Sequence, residues 1–175
     1  GVMVVFSDGI YGGRDVQKIS TCQTDAFDSK DFGGMGYMVD GVPYFYNDSV
    51  KCHTTETEFD VSSLKELPKV GVAYFTIDAD PEILDYYKES GVQGIVIAGA
   101  GSGCYSEQWN NKIDELAETG IPVVRCSRIG SGVITQDDYF IGNIARGNDL
   151  APQKAATLLR LILTVTNDIE QVQNM

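Results

Sequence analysis

Short apolar runs separated by glycine and polar residues dominate the first part of the chain. Residues 2–6 are all apolar and predict a buried strand. Asp8-Gly9 and Gly12-Gly13 follow and predict turns or a flexible loop. Residues 35–39 and 42–46 flank Asp40-Gly41, an arrangement that predicts a β-hairpin. This part of the chain therefore favours strands.

The next segment, residues 47–66, has a different pattern. It is mostly polar, rich in Thr and Glu up to Asp60, and shows no sustained periodicity. Such a segment is typical of a connection that runs over a protein surface. We therefore predict a linker between two structural units.

From Val70 onward, apolar runs of strand length alternate with amphipathic segments of helical period. The predicted strands are residues 70–75, 94–98 and 123–126. The predicted helices begin at the capping residues Asp80 and Ser106, near Pro152 and, for a short final helix, at Asp168. This alternation predicts an α/β fold with a parallel sheet covered on both faces. Functional groups then collect at the carboxyl ends of the strands, which here are residues 76–80, 99–105 and 127–132.

Composition excludes several classes of protein. The net charge is −12, from 13 basic and 25 acidic residues, whereas nucleic-acid binding requires clustered Lys and Arg. No run approaches the roughly 18 apolar residues that span a bilayer. The four cysteines form no C-x-x-C pair, so we expect no zinc site and mostly free or buried thiols. We therefore expect neither a nucleic-acid nor a membrane partner.

Three groups of residues are candidates for chemistry. The loop Gly99–Gly103 has the composition of either a phosphate cradle or a tight turn, but it lacks the P-loop lysine and the third glycine of the dinucleotide pattern. Lys18 follows the first strand and is either a solvated charge or a proton acceptor for a hydroxyl nucleophile. Arg125 and Arg128 are expected to pair with local carboxylates. We expect no metal and no cofactor.

Six segments carry a more specific signal, in order along nearly the whole chain: residues 1–18, 53–62, 67–70, 94–103, 122–132 and 150–155. The first ends in Gly13-Arg14-Asp15-Val16-Gln17-Lys18, and the fourth contains Gly99-Ala100-Gly101-Ser102-Gly103. Together these segments resemble the C-terminal portion of the type II bacterial L-asparaginases.

The resemblance implies a domain organisation. Residues 1–46 would be the C-terminal end of the N-terminal domain, residues 47–66 the interdomain linker, and residues 67–175 the smaller C-terminal domain with a Rossmann-like parallel sheet. It also implies a homotetramer, a dimer of intimate dimers. Each active site would lie between the N-terminal domain of one subunit and the C-terminal domain of a neighbour.

The resemblance also implies roles for three residues. Lys18 matches the catalytic lysine that activates a threonine nucleophile, and the family's catalytic threonines lie in an N-terminal half that precedes the matching region. Ser102 falls where the family places an Asn or Ser that touches the substrate of a neighbouring subunit. Asp137 would replace a substrate-contacting Glu, because residues 135–139 contain no Glu.

The implied activity is the hydrolysis of L-asparagine to L-aspartate and ammonia, and also of L-glutamine, by a larger enzyme of which this chain is a part. Two alternatives stay open: a non-catalytic α/β binding or interaction module, and an asparaginase-like subunit of a tRNA amidotransferase. We expect a periplasmic or secreted protein. A cytoplasmic one is the alternative, because Cys22, Cys104 and Cys126 stand where the family often has small polar residues.

Overall fold

The computed structural model describes residues 1–137, 139–140 and 142–175. It divides the chain into two compact units, Gly1–Glu58 and Phe59–Met175. The boundary between the units falls within residues 47–66, the segment predicted as a linker.

The first unit is built from short antiparallel strands. Its main sheet has the order β1-β2-β5-β6, with β1 Met3–Phe6, β2 Gly9–Gly12, β5 Gly36–Val39 and β6 Val42–Phe45. A separate two-stranded ribbon pairs β3, Gln17–Lys18, with β4, Phe27–Asp28.

The predicted hairpin is confirmed as the β5–β6 pair. Asp40 and Gly41 have φ values of 50° and 78°, and Val39 pairs with Val42 across the turn. Two successive residues at positive φ match the right-handed twist of the strands on either side, and Asp-Gly adopts this conformation readily. The turn thus fixes the register that places Tyr37 opposite Tyr44.

Of two predictions for the start of the chain, one was wrong and the other is confirmed only in part. The strand at residues 2–6 exists as β1, but it lies at the sheet edge and three of its four residues are exposed. Turns are present at residues 7–8 and 13–15, but residues 9–12 between them form the strand β2, in which Ile10 is buried. Ser7 and Asp8 have positive φ values, and the turn that they form places Gly9 opposite Phe6 in the sheet.

The second unit contains the predicted parallel sheet, which is confirmed. Its order is β10-β9-β8-β7, and every neighbouring pair is parallel. The strands are β7 Val70–Tyr74, β8 Gly94–Gly99, β9 Val123–Ser127 and β10 Ile144–Arg146. The helices are α1 Ile83–Glu89, α2 Glu107–Ala117, α3 Pro152–Ile162 and α4 Ile169–Asn174. Strand β10 was not predicted.

Both faces of this sheet are covered, as expected. Every residue of β8 is buried. Ile95 and Ile97 of β8 belong to an apolar cluster with Trp109 and Ile113 of α2, whereas Val96 belongs to a second cluster with Leu159 and Ile162 of α3. Burying each large apolar side chain stabilises the fold by about 1.5–3 kcal/mol, so α2 and α3 fix the sheet from opposite sides.

Two of the three predicted side-chain N-caps are confirmed. Ser106 accepts a hydrogen bond from the Trp109 N–H, and Asp168 accepts one from the Gln171 N–H, which confirms both as N-caps. The third prediction was wrong: Asp80 accepts from the Glu82 N–H at 2.9 Å, but α1 begins at Ile83 with Glu82 as its N-cap. Within the described residues, no helix combines the length and apolar content needed to cross a membrane.

Candidate active-site loops

The glycine-rich loop after β8 is a tight turn closed on itself. Ala100 and Cys104 exchange two backbone hydrogen bonds of 2.8 and 2.7 Å. Gly101 and Gly103 have φ values of 50° and 83°, a region that strongly favours glycine. A Cβ at Gly99 would lie 2.3 Å from the carbonyl carbon of Gly103. The composition of this loop is therefore explained by its own geometry, without a phosphate ligand.

The end of β9 holds this loop through its carbonyl groups. Three donors from the end of β9 reach three loop oxygens: Arg125 Nη1 to Ser102 O at 3.1 Å, Ser127 Oγ to Gly101 O, and the Arg128 N–H to Gly99 O at 2.9 Å. These hydrogen bonds hold the backbone of the loop in place, and Ser102 is part of that loop.

Arg125 connects this loop to a second one. Its Nη2 donates to the Thr135 carbonyl at 2.8 Å, in the segment that follows β9. Its guanidinium carbon lies 4.1 Å from the centre of the Phe140 ring, within cation–π range. Only 2% of Arg125 is exposed. Desolvation by this burial lowers the pKa of Arg125, yet a guanidinium keeps its proton in proteins, so a cation is enclosed between the two loops.

Within residues 1–137, 139–140 and 142–175, neither arginine forms the predicted ion pair with a carboxylate. Arg125 donates to the two carbonyls just described, and Arg128 Nη1 donates to Phe75 O at 2.9 Å, at the end of β7. Strand ends and turns leave carbonyl groups without ladder partners, and a guanidinium carries five N–H donors that can satisfy them. Both arginines therefore serve the backbone of the loops at this sheet edge.

Two of the predicted site residues belong to these loops. Ser102 and Asp137 are both exposed. The Asp137 carboxylate accepts a hydrogen bond from the Tyr139 N–H at 2.9 Å, which fixes its local turn. Arg125 brings their loops to one edge of the sheet, because it binds Ser102 itself and Thr135, two residues before Asp137. Ser102 and Asp137 thus occupy the same end of the second unit.

Lys18 lies in the first unit, on β3 rather than in the predicted loop. Lys18 pairs with Phe27 of β4, and Lys18 Nζ lies 5.8 Å from the centre of the Phe27 ring. The next residue continues the ribbon, since the Ile19 N–H donates to Ala26 O at 2.8 Å. Phe27 also packs edge-on against Phe6 at 4.8 Å. The backbone of Lys18 is therefore held by β4, while its side chain is exposed.

Arg125 was a candidate from sequence, but with a different role from the one it has in the structure. Its role was not foreseen because it depends on loops 10 and 23 residues away along the chain. A signal was nevertheless present: Arg125 interrupts the apolar run Val123–Cys126, and a charge in a buried strand requires buried partners.

The cysteines behave as expected. All four are free thiols; Cys22, Cys52 and Cys104 are exposed and Cys126 is buried. Burial raises the pKa of Cys126 to about 12, so its thiol stays protonated at neutral pH and is a poor nucleophile. Across residues 1–137, 139–140 and 142–175, no group of three or more His, Cys, Asp and Glu side chains is arranged to hold a metal ion.

Comparison with known proteins gives a consistent result along the whole chain. Residues 1–51 match the family described as Asparaginase, N-terminal, and residues 69–175 match the Glutaminase/Asparaginase C-terminal domain. L-asparaginase 2 of Bacillus subtilis is 39% identical over 174 residues, covering 99% of this chain and 46% of the relative. Glutaminase-asparaginase of Acinetobacter glutaminasificans is 37% identical over 182 residues, covering 100% of this chain and 54% of the relative.

Solved structures agree. The crystal structure of a probable cytoplasmic L-asparaginase from Campylobacter jejuni has a TM-score of 0.94 to this chain at 39% identity. The match covers 99% of this chain and 57% of the Campylobacter jejuni chain. The chain thus spans about half the length of the curated relatives that it matches. From the match to both family domains and the shared fold, the chain belongs to the asparaginase/glutaminase family.

Proposed function

We propose that the protein containing this chain hydrolyses L-asparagine to L-aspartate and ammonia, and that L-glutamine is a second substrate. The observation that carries the proposal is the similarity, over 99–100% of this chain, to proteins named L-asparaginase and glutaminase-asparaginase. The α/β fold supports it, since loops at the carboxyl ends of parallel strands commonly hold small-molecule sites. No cofactor is required for this reaction in the proposal.

In this proposal Lys18 activates the nucleophile. Its amine accepts the proton of a threonine hydroxyl, and the hydroxyl oxygen attacks the side-chain amide carbon of the substrate. The lysine returns this proton to the amide nitrogen, so collapse of the tetrahedral intermediate releases ammonia and leaves a threonine ester. Water then hydrolyses the ester to the acid and the free threonine hydroxyl. The threonine would come from a part of the protein outside these 175 residues. The fixed backbone of β3 supports this role, because it limits the positions that the lysine amine can reach.

Ser102 and Asp137 would bind the substrate. A hydroxyl and a carboxylate are suited to the α-carboxylate and α-ammonium groups of an amino acid, respectively. Both side chains are exposed on loops whose backbones are held by hydrogen bonds, as expected of groups that present themselves to a ligand. We propose that they complete a site formed with a neighbouring subunit, in a homotetramer arranged as a dimer of dimers.

The central test is Lys18→Met in the full-length protein, assayed by ammonia release from L-asparagine. If the amine is the proton acceptor, kcat should fall by about 10²-fold or more, the usual contribution of a general base, with little change in KM. Lys30→Met is the matched control, because Lys30 is another exposed lysine of the first unit and should leave kcat unchanged. Equal activity of wild type and Lys18→Met would remove Lys18 from the mechanism.

The same assay on the 175-residue chain alone tests where the nucleophile lies. We expect no ammonia release, since the proposal places the threonine outside this segment. Turnover by the isolated chain would mean that the nucleophile lies within it. Failure of the wild-type full-length protein to act on either L-asparagine or L-glutamine would refute the proposed function itself.

A further inference from the structure

We propose that Arg125 is a positioning residue that sets the separation and orientation of the two substrate-contacting loops, those carrying Ser102 and Asp137. The inference rests on the proposed function, because it assigns Arg125 to the same site. Arg125 does not contact the substrate in this proposal. It acts through the backbone of both loops.

The hydrogen bonds of Arg125 have the geometry of a clamp. One terminal nitrogen donates to Ser102 O at 3.1 Å and the other to Thr135 O at 2.8 Å. The two nitrogens belong to one rigid planar group, so the distance between the two carbonyls is fixed by the guanidinium itself. A lysine ammonium has no such fork and would hold the two carbonyls less strictly.

Aromatic packing closes the clamp. The Phe140 ring stacks on the guanidinium at 4.1 Å and meets the Tyr105 ring edge-on at 4.8 Å. Tyr105 lies just after the glycine-rich loop. The contact between Phe140 and Tyr105 is therefore a second connection between the two loops that Arg125 bridges. A Cβ at Gly103 would lie 3.1 Å from Arg125 Cγ, which shows that the loop backbone rests directly on the arginine stem.

Strand packing alone does not account for an arginine at this position. The neighbouring β9 residues Val123, Val124 and Cys126 are apolar and buried, and removing a cation from water costs free energy that an apolar side chain would not incur. The Arg125 guanidinium donates to two loop carbonyls and packs on one aromatic ring, and the negative charge of Asp137, on the second loop, raises its pKa against the effect of burial. The charge therefore serves the loops rather than the core of the sheet.

The first test measures KM and kcat of Arg125→Met in the full-length protein with L-asparagine. Loss of two hydrogen bonds from a charged group should raise KM by about 10- to 100-fold, while kcat changes by less than about threefold because Lys18 is untouched. Arg125→Lys should give an intermediate KM, and it carries the test if Arg125→Met does not fold. Arg160→Met is the control: Arg160 also donates to a carbonyl, that of Pro68, from helix α3, and its KM should equal that of wild type.

A second measurement asks whether Arg125 acts through the loop. Ser102→Ala should raise KM severalfold in the wild-type background, but by less than about twofold in the Arg125→Met background, because residues acting as one unit are not additive. Hydrogen exchange provides a readout independent of catalysis: amides of residues 100–104 and 134–137 should exchange faster in Arg125→Met, while those of α3 do not.

The outcomes separate the two proposals. An active enzyme whose Arg125→Met and Arg125→Lys variants keep the wild-type KM would overturn the positioning role, as would fully additive effects of Arg125→Met and Ser102→Ala. If the wild-type protein releases no ammonia from L-asparagine or L-glutamine, the proposed function fails first. Unchanged loop exchange in the arginine variants would then refute the clamp separately.

Discussion

At the scale of single residues, Cys126 and Gly147 pack closely against each other in the second unit. Cys126 is fully buried in the cluster beneath α3. The Gly147 N–H donates to Arg125 O at 2.8 Å, which draws the chain after β10 against β9. A Cβ at Gly147 would lie 2.2 Å from Cys126 Sγ. The Cys126 thiol therefore occupies space that would be filled by a side chain at position 147 if that residue were not glycine.

This contact predicts a specific double-mutant result. Gly147→Ala should destabilise the chain by about 1–3 kcal/mol, the usual cost of overpacking a dense core. In the Cys126→Ala background the same substitution should cost less, because the sulfur that it strikes is gone. Urea unfolding of the four variants gives the coupling energy. An identical cost of Gly147→Ala in both backgrounds would show that the clash involves some other atom.

Sequence predicted the residues at this site unevenly. Ser102, Asp137 and Lys18 were predicted from a family resemblance, which depends on short local motifs. The structure places the first two on one sheet edge and Lys18 on the first unit. Arg125 was foreseen only as a partner of carboxylates, since a guanidinium that bridges two loops leaves no local pattern. The acceptors of Arg125 are backbone oxygens. Every residue has one, so the sequence does not indicate which of them an arginine will bind.

At the scale of elements, locally determined features were predicted well, whereas the short edge strand β10 was not predicted. The β5–β6 hairpin and the caps at Ser106 and Asp168 depend on residues within four positions of each other. Strand β10 has three residues, and it exists because Ile144 docks in register with Val123 of β9, 21 positions earlier. A strand so short has no periodicity of its own, so only the tertiary pairing reveals it.

Helix α4 shows how one cap supports such an edge strand. Asp168 Oδ1 accepts from the Gln171 N–H at 3.0 Å. From the same helix, the Gln173 side-chain oxygen accepts from the Arg146 backbone N–H at 2.8 Å, a donor on the outer edge of β10. Val172 is buried in the cluster below. The cap therefore helps to hold the helix that satisfies the open side of the sheet.

Removing this cap should weaken the chain measurably. Asp168→Ala should lower the free energy of unfolding by about 1 kcal/mol, the typical value of an N-cap. Glu170→Ala, an exposed substitution in the same first turn, is the control and should cost less. Thermal or urea unfolding followed by circular dichroism measures both. Equal losses for the two variants would mean that the charge of the first turn matters, and that the capping hydrogen bond does not.

At the scale of the whole molecule, buried apolar surface is distributed very unequally between the two units. Both apolar clusters lie entirely within Phe59–Met175. The first unit buries only Ile10, Val16 and Ala26 among its described apolar residues. It leaves several large side chains more than one-third exposed: Phe6, Tyr37, Tyr44, Phe45 and Tyr46. Because burial of apolar area is the main favourable term in folding, the second unit holds most of the stability of this chain.

This inequality predicts that residues 59–175 fold without the rest of the chain. Trp109 reports on it directly, since it is the single tryptophan, is 1% exposed and donates its indole N–H to Ala79 O at 2.7 Å. The fragment should show a blue-shifted Trp109 emission that moves to the red in one cooperative urea transition. Residues 1–58 alone should show no cooperative transition by circular dichroism, because sheets with so little buried apolar area are marginal in water. Solvent-exposed Trp109 emission from the 59–175 fragment in buffer would contradict this division, and would show that the α/β unit needs the strands of the first unit in order to fold.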